Sequence, residues 1–105
     1  MMPLRNVEAI DERSISSLPP EEFRSAVLEG VENRRIVAFF GRPLGGRVRL
    51  YAVLADDGAG TLLALATEVS DRFDSLTPDC PQAHTFEREI FEQHGVWMEN
   101  HPWLK

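Results

Sequence analysis

Three apolar runs separated by short turn-forming stretches constrain this 105-residue chain more than anything else in it. Arg35 to Phe40 contains Ile-Val-Ala-Phe-Phe, Val48, Leu50, Ala52 and Leu54 alternate with Arg47, Arg49, Tyr51 and Val53, and Thr61 to Thr67 contains Leu-Leu-Ala-Leu-Ala. Alternation at a period of two marks a strand with one face turned to a core, so the middle run reads as half-buried. A nearly continuous apolar run suits a strand covered on both faces or central in its sheet. Gly41 to Gly46 supplies the first loop, and Asp56, Asp57 and Gly58 give a hairpin signal for the second. By their spacing the three strands form an antiparallel meander.

A helical pattern flanks the meander on each side. Ser17-Leu18-Pro19-Pro20-Glu21-Glu22 reads as a helix start, because proline is tolerated in the first turn and acids there complement the macrodipole. Phe23, Ala26, Val27 and Val31 then fall at helical spacing, in a helix ending near Asn33 and weakened internally by Gly30. A second helix is predicted from Pro81, capped by Asp79 or Cys80 and closed by Gly95. Ala83, Phe86 and Ile90 share one of its faces, with Phe91 on the border, and Arg88 can pair with Glu92 on another. Ser70 to Gln82 is expected to be an ordered loop, and Met1 to Ser16 a frayed lead-in or a short edge segment. Val96, Trp97 and Met98 return to the apolar surface, and Pro102 blocks a helical tail. The order α-β-β-β-α implies an α+β two-layer sandwich in one domain spanning residues 1–105.

Composition narrows the chemistry. Eleven basic residues against seventeen acidic ones leave a net charge of −6, which argues against nucleic-acid or anionic-membrane binding. The single cysteine, Cys80, has no internal partner, fits a reducing cytoplasm and sits beside Asp79, where a thiolate is disfavoured. No window approaches the roughly 20 apolar residues a membrane helix needs. Cys80, His84, His94 and His101 match none of the compact ligand pairs of structural zinc, so no metal site is assigned. Gly41, Gly45 and Gly46 lack the lysine and following helix of a phosphate cradle. Glu87, Glu89 and Glu92 read as a solvated or partner-facing helix face with Arg88 among them, and no catalytic residue is assigned. Trp97, Met98, Pro102, Trp103 and Leu104 beside Lys105 suit an interface or a fold-back onto the core, with Trp103 the candidate exposed anchor.

The ordered series Ser75, Leu76, Thr77, then Pro81 and Ala83, then Glu87, Arg88, Glu89 and Glu92, then Gly95 and Val96, then His101, Pro102, Leu104 and Lys105 resembles a known family. It is similar to the thirty-kilodalton subunit of bacterial NADH:quinone oxidoreductase, respiratory complex I. The same domain occurs in membrane-bound NiFe hydrogenases such as formate hydrogenlyase, and His101 to Lys105 looks closest to that branch. Gln93 and His94 stand where the family has an apolar or aromatic pair, and Asn100 where it has a glycine. The family continues past the Leu-basic pair, so a domain truncated at its C-terminal end or a degenerate member is expected.

The resemblance implies an α+β domain without a cofactor, metal or catalytic residue of its own. It would dock the large and small catalytic subunits of the complex through Glu87, Arg88, Glu89, His101, Pro102, Trp103, Leu104 and Lys105. The location implied is cytoplasmic, peripheral to the membrane through the complex and without direct insertion. Two alternatives stand beside this reading: a stand-alone regulator or assembly factor that kept the docking surface, and a small hydrolase using Glu89 with His94 or His101.

Overall fold

In the computed structural model, which describes residues 15–101, the chain is organised about one long strand, β3 (Arg47–Asp56). It pairs antiparallel with β2 (Arg35–Leu44) on one side and β4 (Thr61–Val69) on the other, so the expected meander is present. A two-residue strand, β1 (Ser17–Leu18), adds parallel to β4 and completes a four-stranded sheet of order β1-β4-β3-β2. The fold is α+β, with a mixed sheet.

Two prolines decide where the first helix begins. The residue preceding a proline is pushed out of the helical region, so Leu18 and Pro19 are extended and α1 runs Pro20–Gly30 with Pro20 in its first turn. Ser17 and Leu18, read from sequence as part of the helix start, are therefore available as strand. They pair with Ala66 and Thr67, and the Thr67 hydroxyl donates to the Leu18 carbonyl at 2.7 Å.

The loop expected over Gly41–Gly46 contracts to two residues. β2 continues through Gly41 to Leu44, and Gly45 and Gly46, with φ of 49° and 86°, make the turn into β3. Positive φ at both central residues is what a tight hairpin turn of matching twist demands. Gly41 is a glycine for another reason. A Cβ there would meet His94 Cδ2 and Val48 Cγ1, each at 2.9 Å, so the strand is bare where the second helix closes on it.

That helix, α2 (His84–His94), follows a single 3-10 turn at Pro81–Ala83. It ends as predicted at Gly95, which is left-handed (φ 69°) and donates its N–H to the Phe91 carbonyl at 2.9 Å. Both helices lie on one face of the sheet. Phe23 and Val27 of α1 and Ile90 of α2 share one buried cluster with Phe39, Leu50, Ala52 and Leu54. At its centre the rings of Phe23, Phe39 and Phe73 stand 5.8–6.1 Å apart, within the range where tilted aromatic pairs attract.

Two expectations are corrected. β3 is not half-buried: Leu50 to Ala55 are all buried, and on the face away from the helices Phe40 stacks on Tyr51 at 5.3 Å with the Arg49 guanidinium 5.0 Å from the centre of the same ring. And the loop over Ser70–Gln82 contains β5 (Arg72–Asp74), which pairs parallel with β6 (Trp97–Glu99) in a separate two-stranded sheet. Three-residue parallel strands have no alternation long enough to read.

Gly30, read as a weakness of α1, is a close-packing position. A Cβ there would stand 2.4 Å from Leu54 Cδ1, and Leu54 is fully buried. Gly30→Ala gains about 1 kcal/mol of helix propensity but forces a packed leucine aside, at a cost of about 1–3 kcal/mol. The expected net result is destabilisation of about 1 kcal/mol in urea unfolding. The same substitution in a Leu54→Ala background is expected to become neutral or stabilising, which a double-mutant cycle reads directly.

Candidate docking surface

The Glu-Arg-Glu run lies on α2, and the helix sorts its three residues by direction. Ile90 faces the core, and Glu87, three residues earlier, lies on the same side of the cylinder. Its side chain has no exposed surface. The carboxylate is matched on both oxygens, since Oε1 accepts from the Ser75 and Thr77 hydroxyls, each at 2.6 Å, and Oε2 accepts from the Leu76 N–H at 2.7 Å. The Ser75 hydroxyl oxygen in turn accepts from the Thr77 N–H at 3.1 Å. Charge-assisted bonds of this length are the strong ones, and a buried carboxylate is tolerated only when it has them.

The reading of Glu87 as a solvated or partner-facing residue is therefore corrected. It points inward and holds the segment after β5 against the second helix. That segment is gripped from the other side by Arg24 of α1. The guanidinium donates to the Ser75 carbonyl at 3.0 and 3.3 Å and to Asp79 at 2.9 Å, with Asp74 at 3.6 Å. Residues 74–79 are thus clamped between both helices. Arg24 and Thr77 carried no functional weight in the sequence reading, although Ser75, Leu76 and Thr77 were part of the family pattern.

His101 is corrected in the same way. Read as the start of an exposed docking tail, it is buried, its ring 5.4 Å from that of His84 and its Nε2 3.9 Å from Glu87 Oε1. The backbone turn that brings it inside is made by Asn100, at φ 66°. A left-handed residue there requires glycine or one of the few side chains that tolerate the conformation, asparagine first among them. Asn100 suits the turn where the family has a glycine, and its amide also donates to Asp74 at 3.3 Å. Pro102, Trp103, Leu104 and Lys105, expected from sequence to dock, lie outside the described residues.

Arg88 and Glu89 are exposed, as read from sequence. Arg88 pairs with Glu92 at 3.1 Å across one helical turn, an exposed pair worth a few tenths of a kcal/mol. Beyond Gly95, Val96 and Met98 are buried while Trp97 between them is 39% exposed, its ring edge-on to Phe91 at 5.6 Å. Strand alternation in β6 produces this division, and it makes Trp97 an exposed aromatic that the sequence reading had not singled out from its neighbours.

The alternative chemistries find little geometry. Cys80 is buried, and burial first, with the nearby Glu87 charge adding to it, holds its thiol above the ordinary range. Among the described residues, no group of three or more His, Cys, Asp or Glu side chains is disposed to hold a metal ion. His101 and Glu87, a histidine and a carboxylate that approach to 3.9 Å, are sealed from solvent. A shallow pocket of about 220 Å³ between α1 and β5 is lined by Pro20, Glu21, Arg24, Ser25, Phe73 and Asp74 and contains no histidine.

Sheet, helices and buried hub together define a small α+β domain whose polar interior is spent on fixing its own loops. The family it comes from is shown by comparison: the family model for the respiratory-chain NADH dehydrogenase 30 Kd subunit matches residues 20–105, from the first residue of α1 onward, and the chain belongs to that family. It is thus of a kind with a subunit of a respiratory complex, which implies partner subunits. Comparison with curated proteins gives no match. No helix among the described residues is long and apolar enough to cross a membrane.

The division within Glu-Arg-Glu is measurable. Glu87→Gln turns one acceptor oxygen into a donor facing a hydroxyl pair or an N–H, and is expected to cost about 2–3 kcal/mol. Glu87→Ala removes the partners of three buried donors and is expected to cost more. Glu89→Ala is expected to stay within about 0.5 kcal/mol of the parent. Urea titrations of the three variants check the order, and equal effects at positions 87 and 89 would overturn the assignment of Glu87 to the interior.

Proposed function

We propose that this chain is a non-catalytic docking domain of a complex-I-like NADH:quinone oxidoreductase or of a membrane-bound NiFe hydrogenase of the formate hydrogenlyase type. It binds the large and small catalytic subunits, and electron transfer belongs to them. The observation that carries the reading is the family match over residues 20–105, which takes in both helices and the sheet apart from β1. The internal chemistry supports it. The one buried carboxylate among the described residues is saturated by donors from a neighbouring loop, so its role is to set the shape of the body rather than to meet a substrate.

On this reading the exposed Arg88, Glu89 and Trp97 are contact residues, together with Pro102 to Lys105 of the tail. Glu87 and His101 act from inside, by fixing where α2 and the start of the tail lie. The protein sits at the cytoplasmic side of a membrane, held there through its complex.

Affinity capture of the full chain from its host's membranes, with mass spectrometry of what accompanies it, is the test. Recovery with a hydrogenase large subunit or with peripheral-arm subunits of a complex-I-type enzyme is the expected outcome and names the complex. Recovery of the chain alone from the soluble fraction would overturn the docking reading. Trp97→Ala combined with Arg88→Ala is expected to weaken the association about tenfold, as loss of an aromatic and an arginine contact does, with little change in thermal midpoint.

A further inference from the structure

We propose that the outer edge of β4, from Thr61 to Leu65, receives an extended segment of another subunit as an added strand, and that this segment is apolar at its centre and basic at its flanks. The inference rests on the reading of the chain as part of a larger assembly. It adds to that reading a surface across the sheet from the Glu-Arg-Glu helix, since α2 packs on β2 and β4 lies two strands away.

The two edges of the main sheet are built differently. β2 forms one of them, and it carries the devices that keep an edge from pairing. Its register with β3 shifts between Ile36 and Ala38, the Ile36 N–H donates to Gln82 Oε1 at 3.0 Å, and His94 of α2 lies against Gly41. Pro43, also in β2, has no N–H to offer.

β4 forms the other edge and has none of these devices between Thr61 and Leu65. β1 covers β4 only at Ala66 and Thr67, and among the described residues no strand pairs with Thr61 to Leu65 on that side. The stretch reads Thr-Leu-Leu-Ala-Leu, without a charge, a proline or a glycine. It keeps an unbroken register with β3, and each of its residues is partly exposed. An edge of this composition, with backbone N–H and C=O groups turned outward, is a template for a further strand. Addition of a strand from a partner is a recurrent mode of recognition, in which the backbone supplies affinity and alternate side chains supply specificity.

Three occupants compete for such an edge, and the geometry favours a foreign strand. The chain's own preceding segment departs from it. Continued in the register of β1, Ile15 would lie beside Ala64. Its carbonyl instead accepts from the guanidinium of Arg49, whose partner on β4 is Glu68, about 13 Å further along the strand.

A second copy brings the wrong charge. α1 lies over β4, and one of its flanks is fixed by Arg24, which grips residues 74–79 between the two helices. Successive helical residues turn by about 100°, so Glu22 and Glu29 project from the flank opposite Arg24, on the side of the open edge. Both are exposed, as are Glu21 and Glu32, and none of the four has an ion pair among the described residues. Two copies joined through this edge would set these carboxylates, and two net charges of −6, against one another. Lysine or arginine flanking a foreign strand would pair with them.

Hydrogen exchange read by mass spectrometry, in the full chain alone and in the complex recovered from its host's membranes, tests the pairing. The segment 61–65 is expected to exchange about tenfold more slowly in the complex. An unchanged rate there, in a complex that is recovered, would overturn the added strand and leave the assembly reading intact. A photo-crosslinking amino acid in place of Leu62 is expected to reach another subunit, in a segment flanked by lysine or arginine. A crosslink to a second copy of this chain, or to residues 1–14 of the same chain, would overturn the inference. Ala64→Lys places on the edge the charge that guarded edges carry, and is expected to lower recovery of the complex about tenfold. Should that variant unfold, Thr61→Lys at the start of the strand repeats the measurement, and undiminished recovery with a folded variant counts against the added strand. If the parent chain recovers no subunits at all, the assembly reading fails and takes this inference with it.

Discussion

A carboxylate without solvent has to be matched donor by donor, and the fold depends on how Glu87 is matched. Its oxygens take the hydroxyls of Ser75 and Thr77 and the N–H of Leu76, three donors from consecutive residues of one loop. The same loop is held at the Ser75 carbonyl by Arg24 of the other helix. Donors that would otherwise be buried and unsatisfied become the reason that a segment with no regular structure has one position. Because the loop follows β5, its position in turn places the β5–β6 pair, and β6 leads to Asn100 and His101. Removing the carboxylate would leave three orphaned donors and release two helices and a sheet edge together.

The two helices come close to the sheet at glycines rather than at pockets. Gly30 of α1 lies against Leu54, and Gly41 of β2 lies against His94 of α2. In both places a missing side chain lets backbone and neighbour approach beyond what alanine would allow, and the aromatic cluster of Phe23, Phe39 and Phe73 fills the space between. Among the described residues, a layer packed this tightly seals the Glu87–His101 pair from solvent. Membership in the family of a respiratory-complex subunit agrees with a body whose exterior is the part that meets other molecules.

Much of the fold was legible because its long elements have clean periods. The strand through Val48 to Leu54, the helix that carries Phe86 and Ile90, and the glycine stop at Gly95 all reappear where they were read, although the strand is buried on both faces. What was not legible depended on contacts distant in sequence. β1, β5 and β6 are two or three residues long and exist only through their pairing partners. Glu87 was misread for a physical reason: glutamate on a charged helix is nearly always solvated, and the three donors that make it an exception lie ten to twelve residues earlier in a stretch with no period of its own. The one signal available was the family pattern, which ties Ser75, Leu76 and Thr77 to the Glu-Arg-Glu run without saying that they touch.

Helical geometry links the internal and external roles of that run. Successive residues on an α-helix turn by about 100°, so a chain that commits Glu87 to the interior also commits Arg88 and Glu89 to the outside, at fixed directions from the core. Arg88 is then set to reach Glu92 one turn on, and Glu89 projects from the next quarter of the cylinder. The buried hydrogen bonds of Glu87 resist rotation of the helix about its axis, since a modest turn would break bonds of 2.6–2.7 Å to a loop that Arg24 holds still. The outer two residues of the triplet acquire a defined orientation without any contact of their own to the core. A short signature in which one acid anchors and its neighbours present a charge pattern is thus a single device, and the anchor is the part that fixes the direction in which the pattern points.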